Sequence, residues 1–216
     1  MNKIIISPSI LTADFLNLGS EINKIEKSGA EWIHLDVMDG SFVPNISFGP
    51  KIISDISKKT KLFLDVHLMV SKPKHLFKSF VDAGSSCITI HSEATEDLIG
   101  DFIELKKLNV KCGVSIKPET SLNTIKPVLD MVDLILIMGV EPGFGGQSLI
   151  LETLEKVSQL VQLRNSNRKY LISIDGGVKT ENIKMIKEKG IDVVVVGSAF
   201  FNSEDQIQLV KDLKEL

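Results

Sequence analysis

Residues able to carry acid–base or metal chemistry interrupt the apolar runs of this sequence at a few places. The run Trp32 to Met38 holds His34 and Asp36, two positions apart, which sets both side chains on one face of an extended strand. Leu62 to Met69 repeats the pattern with Asp65 and His67, and Tyr170 to Asp175 ends on a carboxylate followed by Gly176 and Gly177. His34, Asp36, His67 and Asp175 together offer two imidazoles and two carboxylates. Such a set suits one divalent transition ion, Zn²⁺, Fe²⁺ or Mn²⁺. A buried ion-paired network among the same residues is the alternative.

Glycines mark the next features. The stretch Gly139-Val140-Glu141-Pro142-Gly143-Phe144-Gly145-Gly146-Gln147 follows an apolar run and reads as a hinged lid with backbone amides free to reach a ligand. A turn needed only for chain reversal is the bland reading. Asp175-Gly176-Gly177 and Gly197-Ser198 end the last two apolar runs, and Ser198-Ala199-Phe200-Phe201 could start a short extra helix. Loops of this kind, with a helix start, hold phosphate on backbone N–H groups in barrel folds. Glycines serving tight packing alone are the alternative. Met38, Met69 and Met138 each end a run beside these residues, where they could form a polarisable cap that excludes water or simply pack the core.

The elements that must position these groups alternate along the chain. Eight short apolar, β-branched runs read as buried parallel strands: 4–9, 32–38, 62–69, 87–91, 110–116, 132–138, 170–175 and 192–196. Helical spacing follows at 18–27, 75–83, 98–108, 149–163, 180–189 and 206–213, with Gly29, Gly84 and Gly190 as stops. Thr180 opens an imperfect capping box, since Ile183 stands where Glu or Gln belongs. The pattern predicts a single α/β domain over 1–216, a (β/α)8 TIM barrel whose active face lies at the strand C-termini. The rival, an open doubly wound sheet, usually carries a Gly-rich turn after its first strand, and Ser7-Pro8-Ser9-Ile10-Leu11-Thr12 has none.

Composition narrows the function classes. With 25 Lys+Arg against 28 Asp+Glu the net charge is -3, so there is no basic field for nucleic acid. A phosphorylated substrate stays possible, because amides, a helix end and a metal can supply local positive charge. The apolar runs are too short for a membrane span. Cys87 and Cys112 fit no metal or redox spacing and read as buried reduced thiols. The chain enters its first strand at Ile4 without a secretory pattern, which points to the cytoplasm.

These residues also carry a resemblance. Ser7-Pro8-Ser9-Ile10-Leu11, His34-Leu35-Asp36-Val37-Met38-Asp39-Gly40 with Phe42-Val43-Pro44-Asn45, His67-Leu68-Met69-Val70, Pro142-Gly143-Phe144-Gly145-Gly146-Gln147 and Asp175-Gly176-Gly177 occur in this order over nearly the whole chain. The sequence resembles the ribulose-phosphate 3-epimerase family of the pentose phosphate and Calvin pathways. The resemblance implies metal-dependent interconversion of D-ribulose 5-phosphate and D-xylulose 5-phosphate through an enediolate. It implies one divalent ion on His34, Asp36, His67 and Asp175, with Asp36 and Asp175 as the acid/base pair. It implies contacts to the phosphorylated ketopentose from Ser9, His67, Gly143, Phe144, Gly145, Gly146, Asp175, Gly176, Gly177, Gly197 and Ser198, with Met38, Met69 and Met138 over the intermediate. It also implies a homo-oligomer. Glu141 and Gly139 depart from the Asn and the Ser or Thr more usual in the family, both within the lid. The competing readings are an epimerase of a related ketose phosphate such as D-allulose 6-phosphate, and a non-catalytic phosphosugar-binding barrel.

Overall fold

In a computed structural model, which describes residues 4–165 and 169–216, eight parallel strands form a nearly closed barrel. The strands are β1 (Ile5–Pro8), β2 (Trp32–Met38), β3 (Phe63–Met69), β4 (Cys87–His91), β5 (Lys111–Ile116), β6 (Leu134–Met138), β7 (Leu171–Asp175) and β8 (Val193–Val196). They pair in the order β1-β8-β7-β6-β5-β4-β3-β2, and a parallel bridge between Ser9 and His34 joins the two ends. The sequence places every strand to within two residues at either end.

The helices are α1 (Leu18–Ser28), α2 (Pro50–Lys59), α3 (Phe77–Asp82), α4 (Leu98–Lys107), α5 (Thr153–Leu163), α6 (Ile183–Glu188), α7 (Ser198–Phe201) and α8 (Gln206–Glu215). Their ends follow from local chemistry. Gly29 stops α1 at φ 79°, a left-handed conformation that costs other residues energy. Asp97 and Asp205 cap α4 and α8 by accepting from the N–H groups of Gly100 and Gln208.

Four segments differ from the sequence expectation. The helix α2 is additional: it starts on Pro50 without a side-chain cap and buries only Ile53 and Ile56, so its apolar stripe is thin. Between β5 and β6, where the eightfold βα repeat calls for a helix although the residues show no helical spacing, the chain makes two 3-10 turns, Leu122–Thr124 and Lys126–Val128. The segment 149–163 becomes helical only at Thr153, because the Ile150 N–H is drawn to the Gly139 carbonyl at 2.7 Å. The Thr180 capping box does not form. The Asn182 side chain instead closes the turn before α6, donating to the Gly177 carbonyl (2.8 Å) and accepting from the Lys179 N–H (2.9 Å).

Strand alternation divides the core into two regions. Residues facing outward, among them Ile33, Leu35, Val66, Leu68, Ile88 and Ile90, pack with buried helix residues such as Ile22, Ile25, Phe102, Leu105, Val157 and Leu160. Each such buried aliphatic side chain contributes about 1.5–3 kcal/mol of transfer free energy. Inside the barrel, Cys87, Leu134 and Val193 form a floor with Ile5, Trp32, Phe63 and Leu171, where the Trp32 and Phe63 rings stack at 4.3 Å. Above the floor the interior turns polar: Ser7, His34, Asp65, Thr89, Ser115 and Ser173 are all fully buried. Cys87 and Cys112 are buried and free. Among the described residues no helix is long and apolar enough to cross a membrane.

Candidate active site

The polar interior rises to a cavity at the C-terminal ends of the strands. Because β2 and β3 pair in register with His34 opposite Asp65 and Asp36 opposite His67, their inward side chains meet above the floor. Asp175, the last residue of β7, completes the group. His67 Nδ1 lies 3.0 Å from Asp36 Oδ1, and His34 Nε2 lies 3.2 Å from the same oxygen. The two nitrogens are 3.4 Å apart, and each is 3.9 Å from Asp175 Oδ2. One ligand atom from each of the four residues lies within 4.8 Å of all the others, so the cluster could hold a metal ion.

The donor geometry fits such an ion. Ligands at about 2.0–2.2 Å around a tetrahedral centre sit roughly 3.4 Å from one another, close to the spacings above. The outer contacts fit as well. His34 Nδ1 meets Asp65 Oδ2 at 2.8 Å, which turns Nε2 toward the other three ligands. Ser9 donates to Asp36 Oδ2 at 2.5 Å and leaves Oδ1 to face the histidines. Asp65 Oδ1 is buried with no hydrogen-bond partner among the described residues.

Electrostatics separate the two carboxylates of the cavity. Burial pushes the Asp36 carboxyl up, but His34 and His67 outweigh it and hold the group well below its usual range. At Asp175 burial and the charge of Asp36 both act upward, and the carboxyl is raised. Burial alone would depress His34, yet Asp36 and Asp65 hold its imidazole well above the ordinary range. Two acids with opposite shifts in one cavity are the arrangement expected of an acid/base pair.

The cavity is lined by Ser9, Asp36, Met38, Met69, Met138, Gly143 to Gly146, Asp175, Gly176, Gly177, Gly197 and Ser198, so nearly every residue singled out in the sequence reaches it. His34 and His67 are the exceptions. Both are fully buried and contribute ring nitrogens from behind the wall. The three methionines are at most 3% exposed and lie at the strand ends. The glycine-rich loop is held by two amide side chains. Asn45 donates to the Gly143 carbonyl (2.7 Å), and Gln147 donates to those of Glu141 and Phe144 (2.7 and 2.8 Å). Phe144 at its tip is 56% exposed. At Gly139 a Cβ would meet the Gly176 carbonyl oxygen at 2.8 Å, so close packing is one reason for that glycine.

Sequence reasoning passed over several residues. Thr12 lines the cavity, its hydroxyl buried and unpaired among the described residues. Lys179 brings a cation to the same rim. His91 and Glu93 stand behind His67, while Asp65, already marked by the strand pattern, stands behind His34. The period-two pattern Thr89, His91, Glu93 at the end of β4 was a signal of the same kind as His34 and Asp36.

Fold and site together define a (β/α)8-barrel with a buried His/Asp cluster at its catalytic face. The family described as "Ribulose-phosphate 3 epimerase family" matches residues 5–201. The chain belongs to this family. Relatives include a ribulose-phosphate 3-epimerase of Treponema pallidum, 43% identical with 96% of this chain and 95% of that protein covered. A chloroplastic ribulose-5-phosphate-3-epimerase of Arabidopsis thaliana is 42% identical, with 99% and 77% covered. Among solved structures, 3-hexulose-6-phosphate synthase from Salmonella typhimurium aligns with a TM-score of 0.75 at 15% identity, covering 98% of this chain and 97% of that one, a likeness of fold alone.

Proposed function

We propose that this protein is an isomerase that interconverts D-ribulose 5-phosphate and D-xylulose 5-phosphate by proton transfer at C3. The observation that carries the reading is the pair Asp36 and Asp175. They come from different strands, β2 and β7, and line one cavity beside the buried histidines His34 and His67. One carboxylate takes the C3 proton, leaving an enediolate, and the other returns a proton to the opposite face, which inverts the centre. Ser9 orients Asp36 for this exchange through its short hydrogen bond. A divalent ion such as Zn²⁺, Fe²⁺ or Mn²⁺, held by His34, Asp36, His67 and Asp175, would act as a Lewis acid toward the negative charge that develops on the substrate.

The phosphate rests on backbone amides at Gly177, Gly197 and Ser198, with Lys179 at the rim. Gly143, Phe144, Gly145 and Gly146 cover the sugar. Met38, Met69 and Met138 shield the enediolate from water. His67 serves through Nδ1, and Gly176 lets the chain turn at φ 107° beside Asp175. We further propose that 1–216 forms one domain acting in the cytoplasm as a homo-oligomer, without nucleic-acid or membrane partners.

The test is solvent deuterium exchange. Incubation of ribulose 5-phosphate in D₂O with added Zn²⁺, Fe²⁺ or Mn²⁺ should place deuterium at C3 of both epimers. Binding without exchange would overturn catalysis in favour of a binder. A higher kcat/KM for D-allulose 6-phosphate in a parallel assay would overturn the choice of substrate.

A further inference from the structure

Behind His67 the structure holds a chain of hydrogen bonds that the reaction proposed above does not use. His67 Nε2 lies 2.9 Å from Nε2 of His91, the last residue of β4. His91 Nδ1 lies 3.2 Å from Glu93 Oε2. The other Glu93 oxygen accepts from the Lys117 N–H at 2.8 Å and from the Thr120 hydroxyl. Both imidazoles are fully buried, stacked with centroids 5.0 Å apart, and the Phe42 ring covers His91 at 4.7 Å.

Proton positions in this chain follow from a single requirement. His67 can ligate a cation through Nδ1 only if that nitrogen is bare, so its proton sits on Nε2. The Nε2 proton must be accepted by His91 Nε2, which is then bare itself. The His91 proton therefore lies on Nδ1 and is donated to Glu93. The carboxylate ends the chain as an acceptor, fixed by two donors from the loop after β5. Every proton has one place, and all the bonds point outward from the cavity.

We propose that His91 and Glu93 are positioning residues: they lock the ring and tautomer of His67 so that Nδ1 is presented bare to the metal. The proposal rests on the metal reading of the cluster. His91 thus does for His67 what Asp65 does for His34, with a second imidazole inserted between the ligand and its carboxylate. Outer partners of this kind typically change metal affinity by roughly 10- to 100-fold when removed.

The test measures Co²⁺ affinity of the full chain by its visible absorption, for native protein, His91→Phe, His91→Gln and Glu93→Gln. His91→Phe keeps a ring but neither accepts nor donates, and its Kd should rise roughly 10- to 100-fold. His91→Gln retains an acceptor for the His67 proton and should recover most of that loss, which a merely space-filling role would not produce. Glu93→Gln should weaken binding by several-fold, and it stands as the deciding variant if His91→Phe does not fold. Nitrogen-15 spectra of the Zn²⁺-loaded native protein should show His67 protonated on Nε2. Native-like Co²⁺ affinity in both Glu93→Gln and His91→Phe (in Glu93→Gln alone if His91→Phe does not fold), or an unprotonated Nε2 on His67, overturns the relay while leaving the metal site standing. Native protein that binds no Co²⁺ overturns the metal reading and the relay with it.

Discussion

Replacing Gly177 with Ala tests how closely the loop after β7 is fitted to the cavity. Two separate costs arise. The first is conformational: Gly177 has φ 71°, and a left-handed residue other than glycine costs roughly 1–2 kcal/mol. The second is steric. The new Cβ would lie 2.2 Å from the backbone nitrogen of Leu149 and 2.6 Å from its Cα, whereas ordinary contact begins at 3.4 Å. One of the two backbones must move by roughly 1 Å, and misplacement on that scale costs about 100-fold in rate, or about 2.7 kcal/mol in the barrier. Leu149 cannot retreat freely, since the next residue is tied to Gly139. Gly29→Ala supplies the control. Its φ is 79°, but nothing lies within 4 Å of the added carbon, so only the conformational cost applies. We expect Gly29→Ala to lose roughly 1–2 kcal/mol in urea unfolding with kcat/KM unchanged. Gly177→Ala should lose more stability and about 100-fold in kcat/KM, with Co²⁺ affinity retained. A Gly177→Ala enzyme within threefold of native kcat/KM would refute the claim that this backbone contact sets the cavity.

Other outcomes are expected. Asp175→Asn should lower kcat by at least about 100-fold, the usual worth of a general acid or base, with the unfolding midpoint of the metal-free protein little changed; near-native turnover would contradict its role. Ser198→Asp sets a charge at the proposed phosphate site and should raise KM by about tenfold or more with kcat largely kept, and an unchanged KM would place the phosphate elsewhere. Burial raises the Cys87 thiol well above its normal range and the Cys112 thiol to about 11. Both groups stay protonated below those values, so at pH 8 only about one Cys112 in a thousand is thiolate. Thiol labelling should be slow in the native protein, quicken as pH rises and be complete in urea. Rapid labelling at pH 8 would contradict the burial.

The barrel was legible because its strands are short, continuous apolar runs, and parallel strands covered on both faces need them. The ligands were legible for a related reason: a charged residue within such a run, as at His34 and Asp36, stands out at period two. Helices with thin stripes were harder. The α2 segment contributes only Ile53 and Ile56 to the core and follows the turn-rich stretch around Pro44, Asn45 and Gly49, while the Asn182 side chain delays α6 by spending both its donor and its acceptor on backbone. Thr12 and Lys179 have ordinary local sequence, and their placement depends on loops meeting across the barrel mouth, whereas His91 and Glu93 continue a period-two pattern from β4 whose use depends on the neighbouring strand bringing His67 beside it.

The stacked Trp32 and Phe63 floor has a consequence for traffic. With one end of the barrel plugged by apolar side chains, both partners of a reversible conversion share a single doorway, the one overhung by the loop from Gly139 to Gln147. Arrival of either sugar is the time-reverse of its own departure. A change in that loop's opening rate therefore rescales the forward and backward fluxes together and leaves their ratio to the free energies of the two sugars.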